Sequence, residues 1–280
     1  MQTGSVAPLD PSRRQIKRIL VYTHNSIGLG HAFRMLAVIS GMRKWRPDID
    51  FLVMSGTSVP HIFLREGIEV IKLPAIKLEV EEEDHPLRPR YLSGFPLESV
   101  FDFRQRIILD GFDFFNPDVL MVEHNMAGLM SEVIPILLKK RLRQGGQREF
   151  AVVHISRGIM RRAPLIHVPY PNPNYGSDSI NLSDLYDHLY VMEDRAVVDV
   201  NQEYFGGQPD LDRKIKYLGR ITNKLRGELP NAEHVLDRFG LAGRKIILLV
   251  LGRHGGVFDL SRRLLTDLEK TGLKSRYQVI

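Results

Sequence analysis

The sequence predicts an α/β protein built on a doubly wound parallel sheet, and three observations carry that prediction. Apolar runs of strand length alternate with segments of helical spacing, as in successive parallel β–α–β units. The runs are apolar almost throughout, as expected of strands covered on both faces. The first run ends in a glycine-bearing turn that opens onto a helix, the place where open α/β sheets take their ligands.

In order along the chain, residues 18–23 (RILVYT) read as a buried strand. A helix over 32–45 follows, with Phe33, Leu36, Ala37 and Ser40 on one side. Residues 50–54 (DFLVM) form the next strand, 59–66 a short helix, and 69–73 (EVIKL) a third strand. Residues 77–96 break the alternation with an acidic run and Pro86, Pro89 and Pro96, which predicts a long loop. A helix over 97–115 precedes a strand at 119–122. The next helix, 128–143, stops at Gln144-Gly145-Gly146 and is followed by a strand at 150–155. The Pro/Asn-rich stretch 164–176 predicts a loop. A short helix at 182–186, a strand at 188–192, a helix over 195–205 and a strand at 214–218 complete about seven strands. Residues 222–244 read as a linker with a helix near 232–239. The pattern then restarts with a strand at 245–251, a helix over 259–271 and a strand beginning at 277. One strand and one helix cannot bury a core alone, so 245–280 are expected to be an incomplete second domain. Residues 1–16 are expected to be a disordered leader, and 17–221 the first domain.

Composition narrows the function classes. The 280 residues include no cysteine, which excludes disulfides and thiolate-ligated metals and agrees with a reducing, cytoplasmic setting. The apolar runs are too short for a membrane span, and no apolar segment follows the basic residues near the start. The net charge of +6 suits an anionic partner, but the basic residues are scattered and no nucleic-acid motif accompanies them. Nucleic acid is therefore not an expected partner.

The informative stretch is VYTHNSIGLGHAFR, residues 21–34. Gly28 and Gly30 allow positive φ and a close approach of ligand to backbone. The helix start offers free N–H groups to a phosphate or an oxygen gaining charge. The spacing is neither the dinucleotide fingerprint, since position 33 is Phe, nor a phosphate-binding P-loop. The distinctive residue is His31, directly after the second glycine. An imidazole held there at the rim of a cleft can take a proton from a sugar hydroxyl.

GLGHAFR (28–34) and the strand end Met54-Ser55-Gly56-Thr57 resemble the opening of MurG-like glycosyltransferases of the family 28 type. The chain is more similar still to a group of uncharacterised bacterial predicted glycosyltransferases. That resemblance rests on Phe115-Asn116-Pro117-Asp118-Val119-Leu120 with Glu123, on Tyr190-Val191-Met192-Glu193-Asp194, and on residues 214–220 (KIKYLGR), and covers roughly 17–270. It implies a GT-B fold of two Rossmann-like domains. The first would bind a hydroxyl acceptor and the second a nucleotide diphospho-sugar donor, with neither metal nor cofactor required. His31 matches the candidate general base, and Gly28 and Gly30 the loop near the diphosphate or acceptor. Gly252, Arg253, Gly255 and Gly256 match the first donor-domain loop, although Arg253 and His254 depart from its glycine-rich pattern. A lipid-linked acceptor would imply peripheral membrane contact.

Other residues gather at the same rim if the sheet is parallel. Glu123, after the strand at 119–122, either orients His31, binds a hydroxyl or caps the next helix. Arg157 either pairs with an anionic substrate or sits in a surface ion pair. His24 either lines the cleft or makes a local hydrogen bond. His85, His167, His188 and His234 have no metal-ligand spacing, and no metal site is expected. Two alternatives accompany glycosyl transfer: a PseG-like nucleotide-sugar hydrolase, in which water replaces the acceptor, and a non-catalytic fragment or subunit without a donor site.

Overall fold

The computed structural model describes residues 15–24, 29–78, 87–142, 150–160, 167–169, 179–222, 224, 226–241, 243, 245–249 and 257–279. Seven strands form one parallel sheet: β1 (Arg18–Thr23), β2 (Asp50–Ser55), β3 (Glu69–Lys72), β4 (Val119–Glu123), β5 (Ala151–Ser156), β6 (His188–Val191) and β7 (Ile215–Tyr217). Their order across the sheet is β7-β6-β5-β4-β1-β2-β3. The chain winds outward from β1 to β3, returns past β1, and winds the other way from β4 to β7. The two windings part between β1 and β4, which is the switch point of the sheet.

Alternation along the strands sorts side chains onto two cores. Leu20 and Tyr22 of β1 and Leu120 and Val122 of β4 face one core. Helix α2 (Leu97–Phe115) covers it with Ile108 and Phe112, and helix α3 (Ile134–Leu142) with Ile134, Leu137 and Leu138. Ile19 and Val21 of β1 and Val119 and Met121 of β4 face the other core, covered by helix α1 (Gly30–Trp45) through Ala32, Met35, Val38 and Ile39. Helices on both faces make the sheet doubly wound.

A buried polar cluster ties the first core together at the carboxyl end of the sheet. Arg104 of α2 donates from Nε to Glu132 Oε2 at 2.7 Å. The same carboxylate accepts from Arg104 Nη2 and from the Tyr22 hydroxyl, and Arg104 also reaches the carbonyl of Pro74. The Tyr22 oxygen in turn accepts from the Leu129 N–H at 2.9 Å. Arg104 and Glu132 are each 1% exposed at the side chain, so the pair is sealed from water.

Several expected elements differ in the structure. The expected α1 face of Phe33, Leu36, Ala37 and Ser40 is rotated: Phe33 is exposed, and Ala32 and Met35 meet the sheet. The helix is apolar around much of its girth, so two rows competed for burial. The helix expected over 128–143 starts only at Ile134. Gly128, Met130 and Ser131 take positive φ, leaving a single 3₁₀ turn at Leu129–Ser131. The helix expected over 195–205 shrinks to Val200–Phe205, because Asp199 caps it by accepting from the N–H groups of Asn201 and Gln202. Two expected loops carry short antiparallel ribbons, Ile76–Leu78 with Leu87–Pro89 and His167–Pro169 with Ser179–Asn181. A helix at Pro209–Lys214 was not expected. Beyond β7 the chain leaves the main sheet. A helix at Ala232–Arg238 precedes a two-residue strand, Ile246–Ile247, shorter than the run 245–251 suggested. It pairs in parallel with Gln278–Val279, across the helix Val257–Lys270, in a second small β–α–β unit.

Candidate active site

The site lies where β1 and β4 end, at the switch point. Glu123 is the last residue of β4 and keeps the parity of Val119 and Met121, so its side chain faces α1. His31 and Arg34 stand three residues apart on that helix and therefore share a face. Both converge on Glu123. His31 Nδ1 lies 2.9 Å from each carboxylate oxygen, and Arg34 Nη1 donates to Oε1 at 2.6 Å. The Thr23 hydroxyl, at the end of β1, donates to Oε2 at 3.3 Å. Glu123 is fully buried, while the side chains of His31 and Arg34 are 20% and 22% exposed. The carboxylate is thus enclosed and its two main partners open to solvent.

The hydrogen bond settles the chemistry of the ring. An ionised carboxylate only accepts, so the neutral His31 ring carries its proton on Nδ1 and keeps its lone pair on Nε2. Burial is the largest single effect on the Glu123 carboxyl and pushes it up; the His31 hydrogen bond and the charges of His31, His24 and Arg34 together outweigh it and hold the carboxyl down at about 2. Glu123 is therefore an anion at neutral pH, able to support an imidazolium that forms when His31 gains a proton.

Two further imidazoles close around His31. His24 follows β1, and His124 follows Glu123 with φ of 69°. The ring centroids are 4.8 Å apart for His24 and His31, 4.9 Å for His31 and His124, and 5.4 Å for His24 and His124. Burial lowers His24 to about 3, with His31 adding to the effect. Burial also lowers His124 to about 4, opposed by Glu123 and reinforced by His31 and Arg157. His154 on β5, buried and likewise held at about 4, donates from Nε2 to the His124 carbonyl at 3.1 Å. These three rings are neutral at pH 7.

The remaining sequence candidates fall as follows. Gly30 opens α1 in helical conformation rather than at positive φ, and nothing lies within 4 Å of where a Cβ would stand. Its glycine therefore leaves room above the helix start instead of making the turn. Arg157 lies exposed one residue past β5, close enough to His124 to act on its charge, and pairs with no carboxylate among the described residues. Gly28 and the stretch with Gly252, Arg253, Gly255 and Gly256 lie outside the described residues. Arg34 was not singled out from the sequence, although its spacing from His31 was the available signal. The grouping of His24, His31 and His124 was also missed, because it depends on which strands are neighbours. A hollow of about 570 Å³ lies at the opposite, amino end of β2 and β3, lined in part by Pro47, Ile49, Leu64 and Phe114. The titratable groups converge at the carboxyl end instead.

No protein-family model matches the chain, and no curated protein matches it. Solved structures do. A glycosyltransferase from Rickettsia africae superposes with a TM-score of 0.53 at 12% identity, over 95% of this chain and 68% of that one. A Listeria monocytogenes protein designated a UDP-N-acetylglucosamine 2-epimerase gives 0.51 at 12% identity, over 95% of this chain and 62% of that one. The UDP-GlcNAc 2-epimerase from Methanocaldococcus jannaschii gives 0.51 at 10% identity, over 94% and 64%. The chain thus spans a little under two thirds of the length of the two epimerase structures. At such identities the likeness is one of architecture: the chain has the Rossmann-like, GT-B-type α/β fold that these proteins share.

Proposed function

We propose that this protein transfers a sugar from a nucleotide diphospho-sugar to a hydroxyl acceptor, with His31 as the general base. The observation that carries the reading is the buried Glu123 carboxylate, 2.9 Å from His31 Nδ1 at the switch point of the sheet. That contact fixes the tautomer and leaves Nε2 free to accept the acceptor's proton as its oxygen attacks the anomeric carbon. The imidazolium so formed is held against Glu123, the arrangement that makes a histidine an effective base. The sugar–phosphate bond breaks as the new glycosidic bond forms, with inversion, and the nucleoside diphosphate leaves. The N–H groups of the first turn of α1, which have no partner within the helix, the open space above Gly30, and Arg157 suit the developing diphosphate charge, so the proposed reaction calls for no metal.

Support for the substrate class is coarser. It comes from the fold shared with a glycosyltransferase and with proteins named for UDP-GlcNAc. Nucleotide contacts are assigned to Gly252, Arg253, Gly255 and Gly256 on sequence alone. The test is a screen of the purified protein against UDP- and dTDP-sugars with hydroxyl acceptors, read by product analysis. His31→Ala is expected to keep its fold and lose transfer by about 10²-fold or more. Equal turnover in wild type and variant removes the base assignment. Free sugar released at the same rate without acceptor replaces transfer with hydrolysis.

A further inference from the structure

We propose that His24, His31 and His124 form a binding site for one divalent transition-metal ion of the zinc type. Each ring places one nitrogen within 4.8 Å of those of the other two. Ligands about 2.0–2.1 Å from a tetrahedral ion lie roughly 3.4 Å apart, so small side-chain rotations close the site. Three imidazoles from separate parts of the chain meet here: one after β1, one on α1 and one after β4. His24, 9% exposed, has an Nδ1 without a hydrogen-bond partner among the described residues, and so does His124. Burying such an atom unpaired is costly, and coordination at this site removes the cost for a ring that turns it toward the ion.

The surroundings suit a metal as well. A ligating histidine commonly gives its other ring N–H to a carboxylate, and His31 makes that contact with Glu123. The ligand set is all imidazole, which suits zinc, cobalt, nickel and copper better than magnesium or calcium. Three protein ligands leave a fourth position open to water or a substrate oxygen.

The consequence for activity rests on the base reading above. A metal would take the Nε2 lone pair of His31, the one assigned to the acceptor proton. Metal loading and base catalysis then exclude each other, and zinc inhibits transfer by occupying the base.

The test uses the full chain freed of metal with a chelator and titrated with zinc by calorimetry, and with cobalt(II) by visible absorption. One equivalent is expected to bind, with a tetrahedral cobalt spectrum. His24→Gln and His124→Gln, shown to be folded by circular dichroism, are expected each to weaken zinc binding by about tenfold or more. Zinc bound equally by wild type and both folded variants, or not bound at all, overturns the site. Zinc bound in the expected way while transfer runs undiminished upholds the site and overturns the base reading instead. His31→Ala that binds zinc as tightly as wild type removes His31 from the ligand set and overturns the proposal as stated.

Discussion

Glu123→Gln tests the centre of the site in a way that does not need the substrate to be known. Glutamine stands in for a permanently protonated carboxyl of nearly the same size. The fold lowers Glu123 from 4.5 to about 2, which corresponds to about 3 kcal/mol in favour of the charged form. Because the folded value is depressed, that stability is complete above pH 4.5 and is lost as pH falls toward 2. The variant is therefore expected to be about 3 kcal/mol less stable than wild type at pH 7, with the gap shrinking to about 1 kcal/mol at pH 3. Urea unfolding at both pH values measures the gap directly. Nitrogen NMR of the His31 ring supplies the second readout: in wild type the neutral ring should carry its proton on Nδ1. Where transfer can be assayed, kcat is expected to drop by about 10²–10⁴-fold, because the imidazolium loses its counter-charge. A stability gap that stays constant between pH 7 and pH 3, or a neutral wild-type ring protonated on Nε2, would show that the carboxylate does not act on His31 as described.

Two further outcomes follow from buried groups elsewhere. Glu132→Gln leaves the Arg104 guanidinium buried without its counter-charge and should cost about 3–5 kcal/mol, while Glu132→Leu with Arg104→Met should recover most of that loss. Urea unfolding decides, and a single variant within 1 kcal/mol or so of wild type would contradict the sealed pair. His154, held at about 4 by burial, binds its proton more weakly folded than unfolded. Stability from this residue is complete above about pH 6.5 and declines toward pH 4, by about 2 kcal/mol between pH 7 and pH 5. His154→Gln should remove that part of the acid sensitivity, and unfolding curves with unchanged pH dependence would rule it out.

Much of the frame was legible because burial writes itself into sequence. The strands at 18–23, 50–55 and 119–123 are apolar runs bounded by polar residues. Helix α2 ends where Asn116 takes the left-handed conformation ahead of Pro117, a stop signal readable in advance. The break before α3 was not readable, because its left-handed Met130 and Ser131 depend on distant partners. Leu129 is anchored by Tyr22, and Glu132 by Arg104, more than twenty residues away in each case. The start of the Val200–Phe205 helix was readable from Asp199 and was missed, since the apolar spacing upstream outweighed one capping residue. In the site, the pairing of His31 with Glu123 was one of the alternatives the sequence offered, since a parallel sheet brings the end of each strand to one rim. The meeting of the three histidines required the strand order, because positions 24, 31 and 124 become neighbours only once β4 is laid beside β1.

The two buried carboxylates at this end of the sheet make a comparison that isolates what the chemistry needs. Glu123 faces α1 and holds Arg34; Glu132 lies on the other side and holds Arg104 of α2. Each is a negative charge under a helix-borne arginine, and each has a hydroxyl from β1 against it, Thr23 for one and Tyr22 for the other. The two differ in what else they hold and in how open it is. Glu132 and its arginine are shut away from solvent, so nothing can reach them and their effect is confined to the fold. Glu123 is as deeply buried, but its added partner is a histidine whose ring reaches the surface. A proton arriving at that ring from outside is felt by a charge that water cannot screen, which is where electrostatic support is strongest. The sealed pair braces the carboxyl edge of the sheet, and the open one is the pair on which the proposed base reading rests. Moving a histidine onto the Glu132 side would not create a second centre, because among the described residues that carboxylate and its arginine are sealed from solvent.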